Sequence, residues 1–186
     1  MVVKLPQIQY NLGEGDLACT HPNIEYSELT KGKEQQRRDN QEQERNQASI
    51  EALKKWHAGK HFEAIGDAAS AADCFNKYEG AKANADGKAF EQKVAEETNA
   101  KWTSIKFYCP LCGLSGEMDV VTDKGIVKEC KISADAANEG QFNKIGRGAA
   151  AIFGAGTVVH MAVPADHVAA VRRKFAQDMK GKIQAH

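Results

Sequence analysis

The fold is decided by residues 116–133, which read GEMDVVTDKGIVKECKIS. Apolar side chains intermixed with charged ones flank the turn-forming residues 123–125, a pattern that predicts two antiparallel strands joined by a hairpin. Because side chains alternate between the faces of a strand, Glu129 and Lys131 project together. The hairpin then brings Asp119 alongside them. We therefore expect two carboxylates and one ammonium group to converge at this point of the sheet.

Two interpretations fit this charged group. Acids and lysines on alternate positions are ordinary on the outer face of a meander. However, Val120 and Val121 follow Asp119, and Ile126 and Val127 precede Glu129. Charges inside apolar strands need partners, which favours a functional site. Carboxylates suit a hard divalent cation such as Mg²⁺, and a lysine beside them balances the charge that develops on a phosphate.

The chain divides into two regions by composition. Residues 1–85 are expected to form an irregular and helical N-terminal module, in which the polar segment 31–46 is either a solvated helix or a linker. The turn-rich residues 84–87 predict a break, with Asp86 as the N-cap of the following helix. We assign residues 86–186 to a second domain, which carries the charged hairpin.

The second domain is predicted to be α/β with a mixed sheet. A helix comes first, and the three strands that follow it, one at 103–108 and the two of the hairpin, form an antiparallel meander. Ser133 is expected to cap a crossover helix that leads to an apolar strand at 156–163, which a right-handed connection lays parallel to the Glu129 strand. Apolar residues recur at three and four from Val168 to Ile183, which predicts a C-terminal helix. The order is α-β-β-β-α-β-α.

The composition excludes several function classes. Twenty-five basic and 25 acidic residues cancel, so no bulk charge draws the chain to nucleic acid or to a membrane surface. No apolar run approaches the roughly 18 residues of a membrane span, and the N-terminal MVVKLP lacks the apolar core of a signal peptide. We expect a soluble chain with no membrane span.

Five cysteines are an odd number and do not form a disulfide framework, which favours a reducing compartment. Cys109 and Cys112 have the spacing of a zinc knuckle, yet one such pair supplies two of four ligands. No nearby His-x-x-His or second Cys-x-x-Cys completes a tetrahedron. We therefore interpret the pair as a tight turn, with Zn²⁺ at Cys109 and Cys112, or a disulfide, as the alternatives.

With these elements in place, residues 87–175 resemble the PD-(D/E)xK nuclease superfamily, also called restriction-endonuclease-like. The resemblance implies that Asp119 and Glu129 bind Mg²⁺ or Mn²⁺ and that Lys131 assists the attacking water. The chain departs from the family pattern because no proline precedes Asp119.

The same resemblance implies further site residues. Many members of the superfamily add a glutamate from the first helix, and Glu91 occupies the matching place. Others add a glutamine or lysine from the crossover helix, where Gln141 and Lys144 lie three residues apart. The backbone carbonyl of Cys130 would be a further metal ligand. The three helix residues have an ordinary structural explanation as well, since polar side chains on helices are usually solvated.

The resemblance implies a metal-dependent nuclease that hydrolyses phosphodiester bonds of DNA or RNA, with tRNA among the RNA substrates. A compact nuclease after a polar helical segment also resembles the C-terminal toxin domains of bacterial competition systems. Such toxins are delivered from the producing bacterium into the cytoplasm of a target cell, and a cognate immunity protein neutralises them. Residues 1–85 would then serve delivery or immunity-protein binding. The alternatives are a repair or restriction nuclease and a non-catalytic zinc- or nucleic-acid-binding module.

Overall fold

Two long helices form the N-terminal part of the chain in the computed structural model, which describes residues 19, 21, 23–26 and 34–186. Helix α1 spans Glu34–Ala64 and helix α2 spans Ala68–Glu97. The Asp67 side chain caps α2 by accepting a hydrogen bond from the Ser70 N–H at 3.0 Å. Most of the irregular stretch expected for residues 1–30 lies outside the described residues. The helical N-terminal region itself is confirmed.

The helices α1 and α2 form a hairpin that needs a glycine at its closest approach. A Cβ atom built on Gly59 would lie 2.6 Å from the Phe75 ring, so only glycine lets the two helices meet there. The break predicted at residues 84–87 is wrong, because α2 runs through it. The Asp86 carboxylate instead accepts a hydrogen bond from Lys82 at 2.8 Å, one turn earlier. Tertiary packing of α2 outweighs the helix cost of Gly87, about 1 kcal/mol. The division into two domains stays a prediction.

In the part of the chain that the structure describes, six strands follow one another across a single mixed sheet in the order of the chain. The first four pair antiparallel, and the last two are each parallel to the strand before them. The strands are β1 (Glu25–Tyr26), β2 (Ala100–Tyr108), β3 (Ser115–Thr122), β4 (Val127–Cys130), β5 (Val159–Val163) and β6 (Ile183–Ala185). The α/β class and the mixed sheet are thereby confirmed, while membership of the restriction-endonuclease-like fold stays a prediction.

Helix α3 (Glu139–Phe153) crosses from β4 to the parallel strand β5. The helix begins five residues later than expected, because Asn138 is its N-cap and accepts a hydrogen bond from the Gln141 N–H at 2.9 Å. The Ser133 hydroxyl accepts from the Ala136 N–H at 3.2 Å in the preceding turn. The prediction that Ser133 caps this helix is therefore wrong.

The predicted C-terminal helix ends early. Helix α4 covers Val168–Lys174, a 3₁₀ segment covers Gln177–Lys182, and β6 completes the sheet. Phe175 is already extended, with φ −106° and ψ 151°. The apolar residues Val171, Phe175, Met179 and Ile183 are buried, yet Ile183 pairs with the edge of β5 opposite Met161 and does not continue the helix. Pairing with that edge satisfies the backbone groups that a longer helix would have used.

The sheet carries one apolar cluster on each face. Helix α2 contributes Phe90 and Val94 to one cluster, which includes Ala162 of β5. Helix α3 contributes Phe142 and Ile145 to the larger cluster, which includes the neighbouring Met161. The sheet therefore lies between α2 on one side and α3 with α4 on the other. Within the described residues, no helix combines the length and the apolar character needed to cross a bilayer.

Candidate functional site

The charged group predicted from the hairpin lies where β3 and β4 part. The ladder pairs Val120 with Lys128 and Val121 with Val127, so the same register places Asp119 opposite Glu129. Lys131 follows the end of β4 by one residue. Glu129 is completely buried, and 8% of Asp119 remains accessible to solvent. Two carboxylates therefore lie side by side in the interior of the sheet.

One ammonium group and one side-chain amide contact Glu129, and both bind the same carboxylate oxygen. Its Oε1 atom lies 2.6 Å from Lys131 Nζ and accepts a hydrogen bond from Gln141 Nε2 at 2.9 Å. Its Oε2 atom is buried without a hydrogen-bond partner. A buried, unpartnered carboxylate oxygen is costly, and such an atom calls for an explanation in terms of a ligand or function.

Asp119 is fixed by the backbone of the neighbouring strand. Its Oδ2 atom accepts a hydrogen bond from the Cys130 N–H at 2.7 Å. The Cys130 thiol itself packs against Phe90 and Val94, and burial raises its pKa well above the ordinary value. The thiol therefore stays protonated, so that only the backbone carbonyl of Cys130 remains a candidate metal ligand.

Burial dominates the electrostatics of the site, and the neighbouring carboxylates add to its effect. Burial, followed by the neighbouring charges of Glu129 and Glu91, raises the pKa of Asp119 well above its usual range. Burial also raises the pKa of Glu129, although Lys131 opposes the shift. Burial lowers the pKa of Lys131, but the two carboxylates outweigh it and leave that pKa raised. One ammonium group thus does not balance the acids around it.

Glu91 faces the site from α2 but already has a partner. Its Oε2 atom lies 2.9 Å from Lys88 Nζ, which also lies 3.5 Å from Glu44 and 4.0 Å from Glu117. Burial raises the pKa of Glu91, and Lys88 opposes that shift. The charge of Glu91 in turn helps to raise the pKa of Asp119 and of Glu129. Glu91 would have to release Lys88 before it could bind a cation.

The two candidates on α3 differ in their contacts. Gln141 reaches Glu129 through its amide, as described above, whereas Lys144 is exposed. Both line an open groove of about 420 Å³ whose other side includes Ser115 and Gly116 of β3. Gln141 is therefore part of the charged group, and Lys144 lies on a surface next to it.

A divalent cation fits this centre in part. Asp119 and Glu129 offer two buried carboxylates and a free oxygen atom, which are the ligands that a hard cation requires. Their ligand atoms and those of Glu91 do not lie within 4.8 Å of one another. Two carboxylates with backbone and solvent oxygens therefore remain as the donor set for such an ion.

A second cluster of possible metal ligands lies elsewhere in the structure. Among the described residues, it is the one group of three or more Cys, His, Asp or Glu whose ligand atoms all lie within 4.8 Å of one another. It consists of Cys19, His21, Cys109 and Cys112. The Sγ atoms of Cys19 and Cys109 are 3.9 Å apart, and Cys112 Sγ lies 3.5 Å from His21 Nδ1. The group could hold a metal ion.

The turn after β2 positions Cys109 in this cluster, and its surroundings lower the pKa of the thiol. The Cys109 carbonyl accepts a hydrogen bond from the Gly113 N–H at 2.9 Å, with Gly113 at φ +71°. A hydrogen bond with His21, helped by the backbone N–H groups of Cys112 and Leu111, lowers the pKa of the Cys109 thiol to about 6. A thiol of this kind is deprotonated at neutral pH and is a competent metal ligand.

The tight turn predicted at Cys109 and Cys112 is confirmed, but the expectation that no further ligands complete the pair is wrong. The missing pair lies about ninety residues earlier, at Cys19 and His21. The only sequence signal is the Cys-x-His spacing in a stretch without regular periodicity. Ligand pairs that are distant in sequence meet only through the fold, so a search near the knuckle could not find them.

No protein-family model, curated protein or solved structure matches this chain. The chemistry of both centres therefore rests on their own geometry.

Proposed function

We propose that the chain is a metal-dependent nuclease that hydrolyses phosphodiester bonds at Asp119, Glu129 and Lys131. The observation that carries this proposal is the buried Glu129 carboxylate, which has one oxygen on Lys131 and Gln141 and the other unpartnered. A fold that only needed a stable sheet would place an apolar residue at this position, because burying a charge costs free energy. Perturbed acids next to a groove are typical of catalytic centres.

Asp119 and Glu129 would hold Mg²⁺ or Mn²⁺, together with the Cys130 carbonyl. Such an ion supplies Lewis-acid stabilisation of the phosphoryl oxygens when it is bound. The raised pKa values of both acids support this assignment, because burial, with smaller contributions from neighbouring carboxylates, disfavours their ionised forms, and a bound cation would stabilise those forms. Glu91 is a further ligand only if Lys88 moves to Glu44 or Glu117, which already lie within 4.0 Å.

Lys131 has a defined task in this proposal. Its raised pKa keeps the ammonium group protonated at neutral pH, so it serves as a hydrogen-bond donor and not as a general base. At 2.6 Å from Glu129 it is oriented before substrate arrives. From this position it would stabilise the charge that develops on the phosphate in the transition state. Gln141 fixes the same Glu129 oxygen from the opposite helix.

The groove beside the centre supports a nucleic-acid substrate. Lys144 lines it, and Arg147 is exposed one helical turn further along α3. Two cations spaced along one helix face suit successive phosphates of a strand. Either DNA or RNA, including tRNA, meets this requirement. The setting we propose is an antibacterial toxin domain delivered to a target-cell cytoplasm and neutralised by an immunity protein, with residues 1–85 serving delivery or immunity-protein binding.

The proposal is tested by incubating the purified chain with plasmid DNA and with total RNA, in Mg²⁺, in Mn²⁺ and with chelator. We expect fragments from at least one substrate, formed with metal and absent with chelator. Intact substrate under all metal conditions would refute the nuclease assignment. Growth arrest on expression separates a toxin from a repair or restriction nuclease, since harmless high expression of the active chain excludes the toxin setting.

The second candidate is a non-catalytic module that binds zinc or nucleic acid. The cluster at Cys19, His21, Cys109 and Cys112 favours it, because a closed set of four ligands has no open position for substrate. The same cleavage experiment separates the two candidates. Zinc binding without any metal-dependent cleavage would favour the module.

A further inference from the structure

The cluster of Cys19, His21, Cys109 and Cys112 has the dimensions of a tetrahedral zinc site. With Zn–S bonds of about 2.3 Å, a tetrahedron has S···S edges of about 3.8 Å, and with a Zn–N bond of about 2.1 Å its S···N edges are about 3.6 Å. The corresponding distances here are 3.9 Å and 3.5 Å. Two different edges of the tetrahedron therefore agree with zinc coordination, one between two sulfur atoms and one between sulfur and nitrogen.

A disulfide does not explain the cluster. The five cysteines are all free thiols, and a disulfide requires its sulfur atoms about 2.05 Å apart. A single disulfide would also bring only two sulfur atoms together, whereas three sulfur atoms and one imidazole nitrogen lie within 4.8 Å of one another here. The donor set is soft, with no carboxylate, so it suits Zn²⁺ and not Mg²⁺ or Ca²⁺.

The backbone around the cluster is arranged for these ligands. His21 is 9% exposed and lies at φ +51°, in the left-handed region that a non-glycine residue rarely adopts. This conformation turns the imidazole toward Cys112, whose own turn is closed by the Gly113 N–H bond to Cys109. Two ligands come from this tight turn and two from a separate segment, which is the usual composition of a structural zinc site.

The segment that carries Cys19 and His21 continues directly into strand β1. That strand has two residues, and Glu25 and Tyr26 pair with Tyr108 and Phe107 at the end of β2. A two-residue strand makes too few hydrogen bonds to hold itself on a sheet edge. Cys109 directly follows Tyr108, the last residue of β2. The cluster therefore sits at the place where the N-terminal segment needs an anchor.

We propose that Cys19, His21, Cys109 and Cys112 bind one structural Zn²⁺ ion that fixes the N-terminal segment to the edge of the sheet. All four coordination positions are filled by the protein, so the ion has no role in hydrolysis. Metal binding of this kind contributes directly to folding, because the unfolded chain has no preformed site. The proposal is independent of the nuclease assignment and stands if no cleavage is found.

The first test uses the full chain, with any histidine tag removed, purified under reducing conditions without chelator. Elemental analysis is expected to find about one zinc per chain. After removal of zinc by chelator, titration with Co²⁺ is expected to give the visible absorption of a tetrahedral cobalt–thiolate site. Protein that holds no zinc after exposure to Zn²⁺ and gives no such absorption with Co²⁺ would overturn the proposal.

The second test compares the variants C112S and C74S. Cys112 is exposed, so its replacement leaves the core unchanged, whereas Cys74 lies on α2 outside the cluster and is the matched control. We expect C112S to bind Zn²⁺ at least about 100-fold more weakly than the wild type, since even a change beyond the ligands costs 10- to 100-fold. C74S is expected to bind as the wild type does. Equal zinc affinity in the two variants would contradict the proposal.

A third measurement tests the anchoring role separately from binding. Hydrogen exchange at the amides of Glu25 and Tyr108, which lie opposite each other in the β1–β2 pair, should be slow in the zinc-loaded chain and fast after chelation. The same comparison in C112S, without chelator, should resemble the chelated wild type. Unchanged protection after zinc is removed would show that the ion does not hold the segment, and would overturn this part of the proposal.

Discussion

Replacement of Lys131 by methionine removes the one ammonium group that contacts the buried Glu129. The side chains are 15% and 1% exposed and their charged atoms are 2.6 Å apart. Removing one partner of a buried ion pair costs about 3–5 kcal/mol, because the other charge stays buried without compensation. Lys131 is not fully buried, so we expect about 3 kcal/mol, at the lower end of this range.

The expected loss is large enough for urea unfolding. With an m-value of about 2 kcal/mol/M, K131M should lower the midpoint by about 1.5 M at pH 8 in the presence of chelator. The loss should be smaller at pH 5. Glu129 and Asp119 have raised pKa values in the folded state, so acid protonates them there and removes the charge that Lys131 balances.

The control is K77M. Lys77 also lies 2.6 Å from a carboxylate, that of Asp73, but both side chains are more than half exposed. Exposed pairs contribute little, so the K77M midpoint should equal that of the wild type. The double variant E129Q/K131M should recover most of the K131M loss, since no unbalanced charge remains at position 129. A pH-independent loss, or a midpoint change in K131M no greater than in K77M, would refute the reasoning.

Two further predictions concern stability. D119N should raise the thermal midpoint at pH 8 in the presence of chelator, because the pKa of Asp119 is raised in the folded state and its ionised form therefore opposes folding at that pH. The gain should vanish in acid, where Asp119 is protonated. A lower midpoint of D119N at pH 8 would contradict this prediction. G148A should cost about 1–3 kcal/mol by overpacking, since its Cβ would lie 2.5 Å from the Phe107 ring. G146A, on the same helix with nothing within 4 Å of its Cβ, should instead stabilise the protein by up to about 1 kcal/mol. Urea unfolding separates the two glycine variants, and equal effects would refute the packing argument.

The sequence predicted the centre of the sheet well because its signal is local. The alternation of apolar and charged residues around 123–125 set the hairpin, and a two-residue offset placed Lys131 beside Glu129, as the 2.6 Å contact shows. The parallel strand β5 was predictable for a similar reason, since a helix of sufficient length separates it from β4. The alternation of side chains along a strand and the length of a crossover connection can both be read from a short stretch of sequence.

The features that the sequence did not predict depend on contacts between distant segments. Apolar spacing of three and four near the C-terminus fits a helix, but it equally buries Met179 from a 3₁₀ turn and Ile183 from a strand once the edge of β5 is free. Cys19 and His21 lie near Cys109 because the fold places the segment that carries β1 at the end of β2. Neither outcome follows from local propensity, because each is decided by which sheet edge remains open.

The most direct test of the proposed function is the rate of Mg²⁺-dependent cleavage by E129Q beside the wild type and K77M, on whichever substrate the wild type cuts. Glutamine has the shape of Glu129 and removes the charge that would bind the cation. We expect E129Q to lose at least about 100-fold in rate, which corresponds to about 2.7 kcal/mol of transition-state stabilisation, while K77M keeps the wild-type rate. E129Q that folds and cleaves at the wild-type rate would contradict the assignment of this site.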